Sequence, residues 1–117
     1  NMEYLYKDER PWGEYYVLKD EKNFKLKIIK VKPGQRLSLQ YHQKRSESWT
    51  IVDGSGIMTL GTKNFEINYG DTIKIDKKEN HRVTNNGNSD LIFIEVQTGD
   101  YFGEDDIIRI EDDYNRK

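Results

Sequence analysis

The sequence predicts an all-β domain, an antiparallel sandwich or barrel built from short strands. Turn signals recur about every eight to twelve residues, as in the dipeptides Pro33-Gly34 and Asp53-Gly54. Between the turns, apolar and polar residues alternate with the period of a half-buried strand. No long stretch has a helical period, and no internal repeat is visible.

The chain divides into three parts. Residues 1–13 are polar with aromatic interruptions, and we interpret them as an N-terminal arm that ends at the turn residues Pro11 and Gly13. Residues 14–98 form the predicted barrel. Within it, the lysines of F-K-L-K-I-I-K-V-K alternate with apolar residues, which predicts a strand with one face in water. The predicted strands are Glu14–Leu18, Phe24–Lys32, Leu37–Tyr41, Trp49–Val52, Ile57–Leu60, Phe65–Ile67, Thr72–Ile75, His81–Thr84 and Leu91–Val96.

Residues 99–117 form an acidic C-terminal tail around one apolar patch, Ile107 to Ile110. We predict a strand at this patch that docks on the barrel. Two interpretations of the acidic residues stay open. In the first, the acidic residues form a solvated tail. In the second, Glu104 to Asp106 lie at the rim of a site and help to bind a substrate.

Composition excludes several functions. The 117 residues suit one domain. A net charge of −2 gives no field that favours nucleic acid or an anionic membrane. The chain has no cysteine, so disulfides and thiolate chemistry are excluded. No apolar run is long enough for a transmembrane helix, and no secretion leader is visible, so we expect a cytoplasmic protein.

Four residues form a candidate metal site: Gln40, His42, Glu47 and His81. Residues two apart on a strand share a face, so Gln40 and His42 point the same way, as does Lys44 if the strand continues. Glu47 follows a short polar break, and barrel closure would bring His81 near. Imidazole and carboxylate suit Zn, Fe, Ni, Co or Mn. The alternative is chance, because two histidines are easily placed near each other.

The first half of this pattern resembles the first cupin motif, in which two glycines bracket three ligands. Gly34, Gln40, His42, Glu47 and Gly54 match it at every spacing. Gln40 stands where most cupins have histidine. The resemblance implies a cupin double-stranded β-helix, a small antiparallel jelly-roll barrel.

The second half resembles the second cupin motif. Gly70, His81 and Asn85 fit it, whereas Asp76 and Lys78 replace a proline and a glycine. We expect these two replacements to affect the geometry of a turn and to leave the ligand His81 in place.

A closer resemblance covers nearly the whole chain. The motifs R-P-W-G, V-K-P-G-x-R-L-S-L-Q, H-x-x-R-x-E-x-W, H-R, E-V-Q-x-G and G-E-D-D-I-x-R resemble those of type II mannose-6-phosphate isomerases. In that family the domain usually follows a mannose-1-phosphate guanylyltransferase. The resemblance implies isomerisation of mannose 6-phosphate to fructose 6-phosphate, with a divalent metal held by Gln40, His42, Glu47 and His81. Three positions depart from the family's histidines, namely Gln43, Lys44 and Ser48.

This activity needs a proton carrier and a cationic phosphate site. Lys44, with its pKa lowered by the metal, or a carboxylate from Glu104 to Asp106 is the candidate base. Arginine binds phosphate through two parallel hydrogen bonds, and Arg45 is our first candidate. The other phosphate candidates are Arg36, Arg82 and Arg109.

Three functions remain open from the sequence. The first is a metal-dependent sugar-phosphate isomerase, with zinc as the first candidate and Mn, Co, Ni or Fe as others. The second is a non-catalytic metal-binding cupin that binds sugar phosphates or nucleotide sugars in polysaccharide biosynthesis. The third is a nucleotide-sugar epimerase or ketoisomerase of cupin fold. We expect a homodimer, because sheet edges and arms of small cupins pair readily, and no nucleic-acid or membrane partner.

Overall fold

The computed structural model describes residues 2–116 and confirms the all-β prediction. Two antiparallel sheets have the strand orders β1-β2-β3-β10-β5-β8 and β11-β4-β9-β6-β7. Within residues 2–116 there is no helix long and apolar enough to span a membrane. The strands are β1 (Tyr6–Arg10), β2 (Gly13–Asp20), β3 (Phe24–Val31), β4 (Leu39–Tyr41), β5 (Arg45–Asp53), β6 (Gly56–Leu60), β7 (Lys63–Ile67), β8 (Thr72–Ile75), β9 (His81–Thr84), β10 (Leu91–Gly99) and β11 (Ile108–Glu111).

The apolar core lies between the two sheets. Trp49 of β5 stacks on Phe93 of β10 with ring centroids 4.2 Å apart, and both are buried together with Met58 and Val83 of the facing sheet. Stacked aromatic rings bury large areas and add a favourable pair energy. The core therefore holds the strands that carry the candidate ligands, because Glu47 lies two residues from Trp49 on the same face of β5.

The lysines of β3 correct one prediction. The strand is where the alternation predicts it, but Lys25 and Lys27 are only 3% and 4% exposed. The alternation changes phase at Ile28-Ile29, so one face of the strand carries both lysines and then Ile29 and Val31. Burying the two apolar side chains in the core therefore turns the two lysines inward as well.

The arm and the tail each add a strand to a sheet. The arm segment Tyr6–Arg10 pairs along its length with β2. The tail segment Ile108–Glu111 pairs with β4, the strand that carries Gln40. The sheets thus extend on both sides of residues 14–98, and β11 brings the tail next to the candidate ligands.

A tight turn leads into the ligand strand β9. Lys78 in this turn has a φ of 66°, and its backbone N–H donates to the carbonyl of His42 at 2.7 Å. This left-handed conformation is the one that a glycine adopts freely. Lys78 occupies the glycine position of the cupin motif, so the turn keeps a glycine-like shape without the glycine.

Replacing Lys78 by glycine should stabilise the protein. A left-handed L-residue costs roughly 1–2 kcal/mol, part of which is offset by the greater freedom of glycine in the unfolded chain. We expect Lys78→Gly to raise the free energy of unfolding by about 1 kcal/mol, measured by urea denaturation. Lys77→Gly is the matched control, because Lys77 is exposed in the same turn without a positive φ. A stabilisation as large in the control would contradict the argument.

Candidate metal centre

The Glu47 carboxylate is the centre of a buried polar cluster. The side chain is 2% exposed and lies between two neighbours on the same face of β5. Arg45 Nε donates to Glu47 Oε2 at 2.8 Å, and Trp49 Nε1 donates to Oε1 at 2.9 Å. Each carboxylate oxygen thus receives a hydrogen bond, which compensates for the loss of water around a buried charge.

Both histidines of the chain converge on this carboxylate. His42 Nε2 lies 3.3 Å from Glu47 Oε2, and His81 Nε2 lies 4.0 Å from Oε1. One ligand atom from each of the three residues lies within 4.8 Å of the others. Metal–ligand bonds of about 2.0–2.2 Å hold donors at most about 4.4 Å apart, so both Glu47 separations are short enough for a shared ion.

Backbone carbonyls set the orientation of both imidazole rings. His42 Nδ1 lies 2.8 Å from the Asp106 carbonyl oxygen, and His81 Nδ1 lies 2.9 Å from that of Glu79. A carbonyl oxygen can only accept, so each Nδ1 carries the proton and each neutral ring presents a lone pair on Nε2. A hydrogen bond from the other ring nitrogen to a backbone carbonyl is typical of metal-binding histidines. The buried Nε2 of His81 has no hydrogen-bond partner among residues 2–116, as expected for an atom that serves as a ligand.

The protonation states are those of metal ligands. Burial lowers the pKa of His42 to about 4 and also lowers the pKa of His81, so both rings are neutral at pH 7. Burial is the largest single effect on the pKa of Glu47 and would raise it, but the Arg45 charge together with the smaller contributions of His42, His81 and the Trp49 hydrogen bond lowers that pKa. Two neutral imidazoles and an ionised carboxylate fit a divalent cation.

Gln40 and Arg45 complete the surroundings of the cluster. Gln40 lies in register with His81 across β4 and β9, and its buried Oε1 accepts a hydrogen bond from Ser38 Oγ at 3.2 Å. Arg45 Nη2 lies 3.4 Å from His42 Nε2. An ion bound to His42 Nε2 would replace that Arg45 contact, because the nitrogen has one lone pair.

The cluster opens into a cavity of about 80 Å³. Its charged lining contains more cations than anions, because five basic side chains face three carboxylates. The charged lining residues are Arg10, Lys27, Arg45, Arg109, Arg116, Glu47, Glu95 and Glu104. This excess of positive charge favours an anionic ligand.

The predicted arginines lie in different environments. Arg45 and Arg109 line the cavity, and Arg45 is engaged with Glu47. Arg36 lies at the surface, where Nε and Nη2 donate to Asp113 at 2.7 and 2.8 Å. Arg82 is buried, but its Nε donates to the Leu37 carbonyl and it does not line the cavity. The structure therefore brings two of the four phosphate candidates to the cavity.

The position expected for Lys44 is wrong. Strand β4 ends at Tyr41, so the period of two does not extend to Lys44. Lys44 is exposed, and its Nζ lies 4.8 Å over the ring of Tyr101 rather than in the cavity. Glu104 does line the cavity, and it forms ion pairs with Lys25 and Lys27 of β3, of which Lys27 also lines the cavity.

Sequence reasoning missed Glu95. Its carboxyl lines the cavity and is 3% exposed, and it accepts a hydrogen bond from Gln97 Nε2 at 2.6 Å. Burial, followed by the nearby charge of Glu47, raises the pKa of Glu95 to about 7. The available signal was the inward face of β10, where Glu95 and Gln97 continue the alternation that begins with Leu91 and Phe93.

Comparisons with known proteins identify the family and the fold of this chain. A family model described as mannose-6-phosphate isomerase C-terminal matches residues 2–112. Alginate biosynthesis protein AlgA of Pseudomonas aeruginosa is 45% identical over 107 residues, which are 92% of this chain and 22% of that protein. Mannose-1-phosphate guanylyltransferase RfbM of Salmonella typhimurium is 38% identical over 102 residues, which are 87% of this chain and 21% of RfbM. The chain spans about a fifth of the length of these curated relatives.

Solved structures with low sequence identity share the fold. An oxalate decarboxylase of Lactobacillus farciminis has a TM-score of 0.78 at 22% identity, over 91% of this chain and 33% of that one. A double-stranded β-helix protein of Klebsiella pneumoniae has a TM-score of 0.73 at 20% identity, over 82% of each chain. These likenesses confirm the predicted cupin fold. Since the family model covers nearly all of the chain, this protein belongs to the mannose-6-phosphate isomerase C-terminal family of cupins.

Proposed function

We propose that the protein interconverts mannose 6-phosphate and fructose 6-phosphate with the help of a divalent metal ion. The convergence of Glu47 and two histidine Nε2 atoms in a buried cluster carries this proposal, and the cluster meets a cation-rich cavity at Glu47 and His42. Membership of the isomerase family supports the choice of substrate. The names of the relatives support a role in polysaccharide biosynthesis.

The metal site consists of His42, Glu47 and His81, with Gln40 as a fourth ligand. Zinc is the first candidate, because it takes imidazole and carboxylate ligands, and Mn, Co, Ni or Fe accept the same donors. When bound, the ion supplies Lewis-acid polarisation of the sugar oxygens. Arg45 holds Glu47 ionised and oriented, which makes it a positioning residue rather than a phosphate ligand.

Glu95 is our candidate proton carrier. The isomerisation moves a proton between C2 and C1 of the sugar through a cis-enediol, so one group must take the proton and return it. The Glu95 carboxyl lies in the same cavity as Glu47, and its hydrogen bond comes from the neutral amide of Gln97 rather than from a cation. A pKa near neutrality suits a group that both accepts and donates. Exposed Lys44 and doubly paired Glu104 fit this role less well.

The second candidate function is a metal-binding cupin without catalysis, which the missing family histidines favour. However, Gln43 and Lys44 are exposed, and Ser48 points away from Glu47, because adjacent residues of a strand face opposite sides. The three replacements therefore remove no group from the cavity, which supports the catalytic function. A homodimer and a cytoplasmic location stay predictions.

Metal binding should depend on His81. We expect the purified protein to hold about one divalent ion per chain and His81→Ala to weaken binding at least about tenfold, since even supporting residues of metal sites are worth that much. Isothermal titration with zinc measures the affinity, and elemental analysis measures the content. Asn80→Ala, next to His81 but outside the cluster of candidate ligands, is the control. Equal zinc affinity in all three proteins would reject the site.

Turnover should depend on the metal. In a coupled assay with mannose 6-phosphate, we expect fructose 6-phosphate to form, and a chelator to abolish its formation until metal is restored. Stoichiometric metal without turnover would reject the isomerase and favour the non-catalytic cupin.

Glu95→Gln should lower kcat and leave metal content unchanged. Loss of a general base costs about 10²–10⁴-fold in rate, and glutamine keeps the shape of the side chain. The matched control is Glu66→Gln, a neutralisation at an exposed position of β7. Unchanged kcat in Glu95→Gln would remove Glu95 from the mechanism.

A further inference from the structure

Two buried lysines bind Glu104, and one of them, Lys27, lines the cavity of the candidate metal centre. The side chains of Lys25 and Lys27 are 4% and 5% exposed, and both project from the same face of β3. Lysine is almost never buried without a partner, because its charge is costly away from water. Their burial therefore requires an anion at this position.

One carboxylate serves both lysines. Lys25 Nζ lies 2.8 Å from Glu104 Oε2, and Lys27 Nζ lies 2.7 Å from the same oxygen and 2.9 Å from Oε1. The ring of Tyr15 lies 4.1 Å below the Lys27 ammonium. Lys25 Nζ also donates to the uncharged carbonyl of Phe102 at 3.1 Å. Within residues 2–116, Glu104 is the one carboxylate in ion-pair contact with these two ammonium groups, so one negative charge faces two positive charges.

The lysines and the carboxylate differ in how firmly they are held. The lysines project from β3, which is paired on both sides by β2 and β10. Glu104 lies in the segment between β10 and β11, outside any strand, and its side chain is 35% exposed. The cationic pair is therefore part of the sheet, whereas its anion comes from a connecting segment with access to solvent.

The cavity is too small for a sugar phosphate while Glu104 is in place. Its volume is about 80 Å³, whereas pockets for small organic ligands measure about 300–1,000 Å³. Glu104, Ile107, Arg109 and Arg116 of the tail line it. A ligand that reaches both Lys27 and the metal ligands must therefore displace part of the tail.

We propose that Lys25 and Lys27 form the binding site for a phosphate monoester, and that Glu104 occupies this site until the phosphate displaces it. The proposal rests on the proposed function, because it assigns the phosphate of the substrate to these two lysines. A dianion between two ammonium groups balances their charge, which the single carboxylate does not. The site then selects phosphorylated sugars over free sugars.

Displacement has a measurable consequence. When an internal group competes for a site, the apparent Kd of the ligand equals its intrinsic Kd divided by the fraction of molecules in which the site is free. Removing the Glu104 carboxylate should therefore tighten phosphate binding. Removing the lysines should abolish it.

The test measures binding of inorganic phosphate by isothermal titration to the wild type, Glu104→Ala and the double variant Lys25→Met/Lys27→Met. We expect Glu104→Ala to bind phosphate at least about tenfold more tightly than the wild type and the double variant to lose binding. Asp105→Ala is the matched control, because it removes the same charge from the next, exposed residue. Sodium chloride at equal ionic strength controls for screening. Equal phosphate affinity in Glu104→Ala and the wild type, or binding that persists in the double variant, would overturn the proposal.

Thermal unfolding covers the case in which Glu104→Ala folds poorly. Without its anion the variant leaves two buried ammonium groups unpaired, so we expect a lower Tm than that of Asp105→Ala. Millimolar phosphate should restore it by more than it raises the Tm of the wild type or the control. If phosphate raises the Tm of all three proteins equally, the proposal is wrong.

Sugar ligands separate this proposal from the isomerase. Mannose 6-phosphate should bind Glu104→Ala more tightly than the wild type, and mannose should bind both equally. Phosphate binding that responds to Glu104 in a protein without turnover would keep this site and reject the isomerase. Chelator-sensitive turnover, with a phosphate affinity that is unchanged by substitution of Glu104 and both lysines, would keep the isomerase and reject the lysine site.

Discussion

The ionised carboxylate of Glu47 is the constraint on which the site depends. A charge buried this deeply is stable only where hydrogen bonds and opposite charge replace water. Arg45 and Trp49 supply two of these from the same face of β5, and the two imidazoles approach from the loop after β4 and from β9 of the facing sheet. Both sheets must close before Glu47 is satisfied, so the formation of the site and of the core are coupled.

The C-terminal tail is part of this site. The carboxylate of Asp106 accepts from the backbone N–H groups of Gln43 and Lys44, each at 2.9 Å, and its carbonyl lies 2.8 Å from His42 Nδ1. These contacts hold the loop that carries His42 and select the tautomer of its ring. The acidic residues that suggest a solvated tail in the sequence therefore include Asp106, which orients the candidate ligand His42.

Local spacing predicted the cluster of His42, Glu47 and His81, because His42 and Glu47 lie within one strand–break–strand unit and the motif around His81 has its own fixed turn. The role of these residues and of Gln40 as metal ligands stays a prediction. Local patterns could not predict that the β3 lysines point into the protein. Alternation predicts a strand without saying which face is inside, and Lys27 turns inward towards a carboxylate that lies 77 positions away. Local patterns also did not reveal Glu95, because it lies in the mainly apolar run Leu91–Val96, which predicts a strand without indicating a buried carboxyl group.

The tail contacts the two lysines through Glu104 and orients His42 through Asp106, and these two residues are only two positions apart. Such a short backbone segment spans at most about 7 Å. When Glu104 is displaced, either Asp106 stays in place or its contact with His42 is disturbed. Asp106 is the more firmly attached, because its carboxylate and carbonyl contact the ligand loop at three points and its own N–H donates to the Gly103 carbonyl at 3.1 Å. In the described part of the chain, residues 2–116, the Glu104 side chain accepts hydrogen bonds from Lys25 and Lys27 alone. The tail therefore yields at Glu104 first, which opens the lysine site while His42 keeps the tautomer that a metal needs.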